Sequence, residues 1–86
     1  MDERLAIVGI LAGHRAEVSP SIQEVLSGFG AHILMRAGVP IQDRQKGVIT
    51  LVFAGGDRAL GDLVKKLEEI DDVLVRTMSF SLRAIG

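Results

Sequence analysis

The stretch "VITLVFAGGDRALGDLVKKLEEI", residues 48–70, decides the fold. Its first seven residues, 48–54, are apolar on both alternating faces, which predicts a strand that is buried on both sides. After the turn "GGD" at 55–57, Leu and Val recur at the spacing i, i+3, i+4, i+7, which predicts an amphipathic helix capped by Asp57. The apolar stripe of this helix consists of Leu60, Leu63, Val64, Leu67 and Ile70.

The first half of the chain repeats this arrangement. "LAIVGILA", residues 5–12, predicts a second strand that is apolar on both faces. "SPSIQEVLSGFG", residues 19–30, predicts a helix with Ser19 as N-cap and Pro20 at the first helical position, although a start near Ala16 stays open. The apolar stripe of this helix consists of Ile22, Val25, Leu26 and Phe29.

Two more strands complete the pattern. "AHILMRAGV", residues 31–39, predicts a strand that Gly38 and Pro40 end, and "VLVRTMSFSL", residues 73–82, predicts the last strand. The order β-α-β-β-α-β in 86 residues is typical of the ferredoxin-like α+β fold, a four-stranded antiparallel sheet with two helices on one face. Right-handed crossovers would place the first and third strands in the centre and the other two at the edges.

Composition excludes several classes of function. The chain has a net charge of −1 and contains three Phe but no Tyr or Trp, which argues against direct binding of nucleic acid. It has no Cys, so disulfides, zinc–thiolate sites and iron–sulfur ligation are excluded. No apolar run is long enough for a membrane span, and the acidic start does not resemble a secretory signal. We therefore expect a cytoplasmic protein with no membrane partner.

The outer face of the sheet is predicted to be apolar, because neither central strand alternates apolar with polar residues. An exposed apolar face on a small protein usually marks an interface, so we expect a homo-oligomer, a dimer or a tetramer. In the second strand we expect Ile33 and Met35 to face the helices. The predicted interface residues are His32, Leu34, Arg36, Arg76, Met78 and Phe80.

The first strand–helix loop and the second strand hold the candidate ligand-binding residues, which are Gly13, His14, Arg15, Arg36 and Gly38. A glycine beside a helix start lets backbone N–H groups approach a carboxylate or phosphate. For His14 the alternative is a solvated loop residue. For Arg36 and Arg76 the alternatives are anion binding and charged edge residues that discourage strand pairing.

Catalysis and metal binding find little support in the sequence. His32 has no second His, Cys or carboxylate in its register, so an interface residue is the better interpretation than a metal ligand. Neither His has a motif partner among the Ser residues, so no nucleophile–base pair can be assembled. We expect no enzymatic activity, no metal and no cofactor.

"RLAIVGIL", "HILMRAGVP", "GVITLVF" and "GDLVKKLEEIDDVLVRTMSFS", in this order, resemble the ACT-like family of iron-only hydrogenase system regulators. The resemblance covers about residues 4–81. Its most specific parts are the Arg-x-Gly-x-Pro motif of Arg36, Gly38 and Pro40 and the helix-to-strand segment with its Lys/Leu pattern followed by "V-x-V-x-T". It implies an ACT-like variant of the ferredoxin-like fold, a homo-oligomer and a regulatory role. A more distant resemblance is to the C-terminal domain of nickel-responsive repressors, whose metal ligands this chain lacks apart from His32.

These observations predict a single ACT-like regulatory domain over residues 1–86, with a core at about 4–82. The predicted function is that of a stand-alone regulator that oligomerises and binds a small effector at a subunit interface. A purely structural assembly module without a ligand is the first alternative. A small ferredoxin-like dimeric enzyme is the second, and the missing catalytic set argues against it.

Overall fold

The structure, a computed structural model, describes residues 4–41, 43 and 45–85. Its elements follow the predicted order β-α-β-β-α-β, and a short 3₁₀ helix comes after them. They are β1 (Arg4–Ala12), α1 (Arg15–Ser27), β2 (Ile33–Ile41), β3 (Lys46–Phe53), α2 (Gly56–Glu68), β4 (Val73–Ser81) and the 3₁₀ helix Leu82–Ala84.

The four strands form one antiparallel sheet in the order β2-β3-β1-β4. The prediction that β1 and β3 are central and β2 and β4 lie at the edges is confirmed, and so is the ferredoxin-like fold. Alternate residues of β1 and β3 point toward the helices and are buried. The core members from these two strands are Ala6, Val8, Ile10, Ala12, Leu51 and Phe53.

Both helices bury their predicted apolar stripes against this side of the sheet. Ile22 and Leu26 of α1 and Leu63 and Leu67 of α2 are buried in the core. The remaining stripe residues pack around them and are partly buried, namely Val25, Phe29, Leu60, Val64 and Ile70. The periodic spacing of apolar residues thus identified the inner face of each helix correctly.

Helix α1 begins earlier than Ser19, so the prediction of Ser19 as N-cap is wrong. His14 is the N-cap, and Pro20 lies inside the helix. The amides of Glu17 and Val18 donate to the His14 carbonyl and form the first turn. Arg15 N–H also donates to the Gln45 carbonyl at 2.8 Å. These contacts hold the segment before Pro20 in a helix, although an internal proline removes one helical hydrogen bond.

Helix α2 begins at Gly56, so the prediction of Asp57 as its cap is also wrong. Gly55 is the N-cap, and Asp57 lies in the first turn. There its carboxylate interacts favourably with the positive end of the helix dipole and pairs with Arg4 Nε at 3.2 Å. Gly56 has φ 81°, a left-handed conformation that glycine adopts without strain. The turn "GGD" thus has a glycine at the position where the backbone is left-handed.

Strand β2 differs from its prediction in two ways. Its pairing with β3 contains a β-bulge, in which Leu34 is the extra residue between Ile33 and Met35. The bulge leaves Ile33 facing the helices as predicted but turns Met35 to the outer face and Arg36 to the helix side, so both of those predictions are wrong. The strand also continues past Gly38 and Pro40 to Ile41, because an edge strand tolerates a proline that lacks the N–H donor.

Candidate functional site: the open sheet face and the groove under helix α1

The sheet side away from the helices, here called the open face, consists of every second residue of the four strands. The strand register places Leu5, Ile7, Gly9, Leu11, Met35, Ala37, Val39, Ile41, Lys46, Val48, Thr50, Val52, Leu74, Arg76, Met78 and Phe80 on it. Most of these side chains are apolar, and those of the edge strands β2 and β4 are exposed; Met78, for example, keeps 57% of its surface accessible. The open face is therefore a continuous apolar surface, as the two doubly apolar strands predicted.

Lys46 and Arg76 are the charged members of the open face, and both lie toward its margins. Lys46 is the first residue of β3, at one end of the sheet. Arg76 belongs to the edge strand β4, and its Nη1 donates to the Val75 carbonyl at 2.8 Å. Arg76 pairs with Gly9 across the β1–β4 ladder, and Gly9 has no side chain that the arginine could cover. The centre of the open face thus consists of aliphatic residues and Thr50.

The predicted interface residues do not all reach the open face. Met78, Phe80 and Arg76 lie on it, and Leu34 in the bulge beside it is 64% exposed. His32 precedes β2 and instead packs on the Phe53 ring, with the ring centroids 5.4 Å apart, while its Nδ1 lies 3.2 Å from the Ala54 carbonyl oxygen. His32 is therefore half-buried against Phe53 at the end of the sheet.

A groove of about 270 Å³ lies on the opposite side of the sheet, between the first turns of α1 and the paired ends of β2 and β3. The helix contributes Arg15, Ser19, Ile22 and Gln23, and the sheet contributes Ala12, Gly38, Val39, Pro40, Gly47, Val48 and Ile49. Gln23 also accepts a hydrogen bond from the Arg36 guanidinium. The groove therefore has an aliphatic lining and two guanidinium groups within or beside it.

The groove brings together three of the five predicted ligand-binding residues. Arg15 and Gly38 line it, and Arg36 reaches it through Gln23. Gly13 and His14 lie elsewhere: Gly13 N–H donates to the Asp72 carbonyl at 2.9 Å, and His14 Nδ1 pairs with the Asp72 carboxylate. These two residues connect the β1–α1 loop to the turn before β4.

Asp72 itself has φ 66°, a left-handed conformation, and its carboxylate lies directly against Gly13. A Cβ at Gly13 would collide with this carboxylate. We expect Gly13→Ala to lower the free energy of unfolding by about 1 kcal/mol or less, because the added methyl group displaces the exposed Asp72 carboxylate from His14. Urea denaturation monitored by circular dichroism measures this change.

The Asp72→Gly variant supplies the control for this effect, because glycine accepts the same φ and removes the carboxylate. In the Asp72→Gly background, Gly13→Ala should cost close to nothing. A cost as large as in the wild-type background would show that something other than Asp72 opposes the methyl group.

Over residues 4–41, 43 and 45–85, no cluster of three or more His, Asp or Glu side chains could hold a metal ion. Within the same residues, no helix has the length and apolar character that crossing a bilayer would require.

Sequence reasoning missed several residues of the groove, above all Gln23, Pro40 and Gly47. Gln23 lies beside the apolar stripe of its helix, and nothing in the local sequence indicates that it accepts a hydrogen bond from Arg36. The available signal was the Arg-x-Gly-x-Pro motif itself, because residues i, i+2 and i+4 of a strand share one face. With the bulge at Leu34, that shared face is the helix side.

Comparisons with known proteins agree on the family and the fold. A family model described as "TM1266-like: Iron-only hydrogenase system regulator, putative" matches residues 4–77. The solved structure of the uncharacterized protein TM1266 from Thermotoga maritima superposes with a TM-score of 0.84 at 29% identity, covering 92% of this chain and 100% of that one. No curated protein matches the chain.

More distant solved structures share the fold alone. An unknown protein from Galdieria sulphuraria matches with a TM-score of 0.67 at 10% identity, over 91% of this chain and 45% of that one. SnoaB, a cofactor-independent oxygenase from Streptomyces nogalater, matches with a TM-score of 0.63 at 15% identity, over 94% of both chains. Identities this low carry no inference about activity.

Proposed function

Because the chain belongs to the TM1266-like family of iron-only hydrogenase system regulators, we propose that it is a non-enzymatic, cytoplasmic regulator that works as a homo-oligomer and responds to a small effector. The observation that carries the oligomer is the apolar open face. Its exposed members include Met35, Val39, Leu74, Met78 and Phe80, which would otherwise remain in water.

The size of the open face suits a second copy of this chain. Four strands of eight or nine residues cover a footprint of roughly 600 Å², from the usual strand spacing and rise per residue. Two such faces in contact would bury roughly 1,200 Å², which is the lower end of the range for stable protein–protein interfaces. The two charged residues lie toward the margins, where water can still reach them.

A regulatory rather than catalytic role is supported by the surroundings of His14. In nucleophilic catalysis a His–carboxylate pair such as His14–Asp72 would orient the general base, and this base would act on a nucleophilic side chain within hydrogen-bonding distance. Among the described residues, His14 makes no hydrogen bond to a hydroxyl group. The shared fold with an oxygenase does not change this, because fold alone does not transfer activity.

Two measurements test the proposed function. Sedimentation velocity across the micromolar range should show a dimer or a tetramer, whereas a monomer throughout would contradict the oligomer. Deletion of the gene in its own host should change the level of iron-only hydrogenase activity, and the wild-type gene should restore it. An unchanged hydrogenase level in the deletion strain would contradict the regulatory role.

A further inference from the structure

The groove under α1 lies over a part of the sheet that carries small residues. Ala12, Gly47 and Pro40 lie opposite one another across three strands, on the helix side of the sheet. In the next row Gly38 lies opposite Ile49. A Cβ at Gly38 would make only ordinary contacts, 3.7 Å from Ile49 Cγ1 and from the Val48 carbonyl oxygen. Tight packing therefore does not demand a glycine here, and its effect is to leave space.

The space is bordered by cationic and hydrogen-bond-donating groups. The stem of Arg15 lies over Gly47, since a Cβ at that glycine would be 2.8 Å from Arg15 Cδ. Arg36 is held by the side-chain oxygen of Gln23, which leaves the Gln23 amide NH₂ group as a donor. No Asp or Glu is among the described residues that line the groove. Guanidinium groups without a carboxylate partner suit an anion.

Apart from the Ser19 hydroxyl, the remaining side chains of the lining are aliphatic and would contact an apolar part of the ligand. Ile22 of α1 is in the core beneath the helix, and Ile49 and Pro40 lie on the sheet side of the groove. A volume of about 270 Å³ holds roughly nine non-hydrogen atoms, if each takes the volume of a water molecule in the liquid. A ligand of this size has room for one anionic group and a short hydrocarbon part.

We propose that the groove between α1 and the β2–β3 ends binds a small organic anion, with its charged group near Arg15 and Arg36 and a short aliphatic part against Ile49 and Pro40. This inference rests on the proposed function, because the groove would be its effector site. It also assigns a role to the Arg-x-Gly-x-Pro motif. Arg36 supplies charge, Gly38 leaves space, and Pro40 forms part of the wall.

The groove also adjoins the proposed interface. Along β2, the residues that alternate with Arg36, Gly38 and Pro40 are Ala37 and Val39, which belong to the open face. A ligand that contacts one side of this edge strand can therefore influence the packing of its other side. An effector site in this position would be well placed to act on the oligomer.

Isothermal titration calorimetry at low ionic strength tests the site with isovalerate as the probe, and with isovaleramide as its uncharged counterpart. We expect isovalerate to bind and isovaleramide not to bind, because the guanidinium groups require a negative charge. Inorganic phosphate, which lacks the hydrocarbon part, should bind more weakly than isovalerate. Absence of isovalerate binding up to about 10 mM, or equal binding of the amide, would overturn the proposal.

Variants locate the site. Arg36→Gln and Arg15→Gln should each weaken isovalerate binding about tenfold or more, the usual loss for a charge-assisted hydrogen bond. Arg58→Gln, on the exposed side of α2, is the matched control and should leave the affinity unchanged. Equal affinities in all three variants would place the anion elsewhere and overturn the assignment.

Gly38→Val fills the groove and leaves its charged residues unchanged, so it tests whether isovalerate binding needs the open space. An added Cβ makes only ordinary contacts here, and we expect the two methyl groups of valine to occupy the groove. The circular dichroism spectrum should therefore stay that of the wild type while isovalerate binding is lost. Retained binding in a folded Gly38→Val protein would overturn the proposal. If the protein is an oligomer but does not bind isovalerate, the proposed anion site is wrong and the proposed oligomer is not contradicted. If it is a monomer that binds isovalerate, the proposed oligomer is wrong and the anion site is not contradicted.

Discussion

Replacement of Phe53 by Ala is expected to lower the free energy of unfolding by about 3–5 kcal/mol. Phe53 is only 1% exposed, and its ring lies 6.2 Å from the Phe29 ring and 5.4 Å from the His32 ring, centroid to centroid. The truncation leaves a cavity at the point where α1, the chain before β2 and the end of β3 meet. For a domain of this size the melting temperature should fall by about 12 °C or more, as measured by calorimetry.

Two further variants show whether the cavity is the cause. Phe53→Leu keeps most of the volume and should cost less than about 1.5 kcal/mol. Ile85→Ala removes a large apolar side chain that is 81% exposed, and it should change stability by less than about 0.5 kcal/mol. If Phe53→Ala costs no more than Ile85→Ala, Phe53 is not the core residue that its burial indicates.

Replacement of Phe80 by Glu is expected to convert the proposed oligomer into monomers. Phe80 is on the open face opposite Leu5 and is half-exposed in the isolated chain, so the carboxylate should cost the monomer little. In a face-to-face dimer the same carboxylate would lose water without gaining a partner, which costs several kcal/mol. The dissociation constant should rise by about a hundredfold or more, and sedimentation equilibrium measures it.

Ile85→Glu is the matched control, because it adds the same charge at an exposed apolar residue that lies beyond the last strand. It should leave the dissociation constant unchanged. Circular dichroism should confirm that both variants remain folded. A Phe80→Glu protein that associates as tightly as the wild type would show that copies meet through another surface.

The motif around Arg36 shows where sequence reasoning fails for this protein. Alternation along residues 33–37 predicted that Arg36 shares the outer face with Leu34. One extra residue in the β2–β3 pairing reversed that assignment for Met35 and Arg36. Nothing in the local sequence distinguishes a regular edge strand from a bulged one, because the bulge depends on how two strands align over their whole length.

The start of α1 and the end of β2 show a related limit. Pro20 is typical of a first helical position and Pro40 of a strand end, and both expectations follow from the missing N–H group. In the structure each proline lies inside its element. Contacts distant in sequence, such as Arg15 N–H to the Gln45 carbonyl, extend the helix beyond its local signals.

The sequence by itself determined the element order, the central position of β1 and β3, the inner stripes of both helices and the apolar open face. These follow from the periodicity of apolar residues, which each segment carries independently of the others. Only the tertiary structure decided the side on which Arg36 lies, the pairing of His14 with Asp72 and the groove that joins Arg15 to Gly38. Each of these depends on the register between segments far apart in the chain, and register is a property of the packed sheet rather than of any one segment.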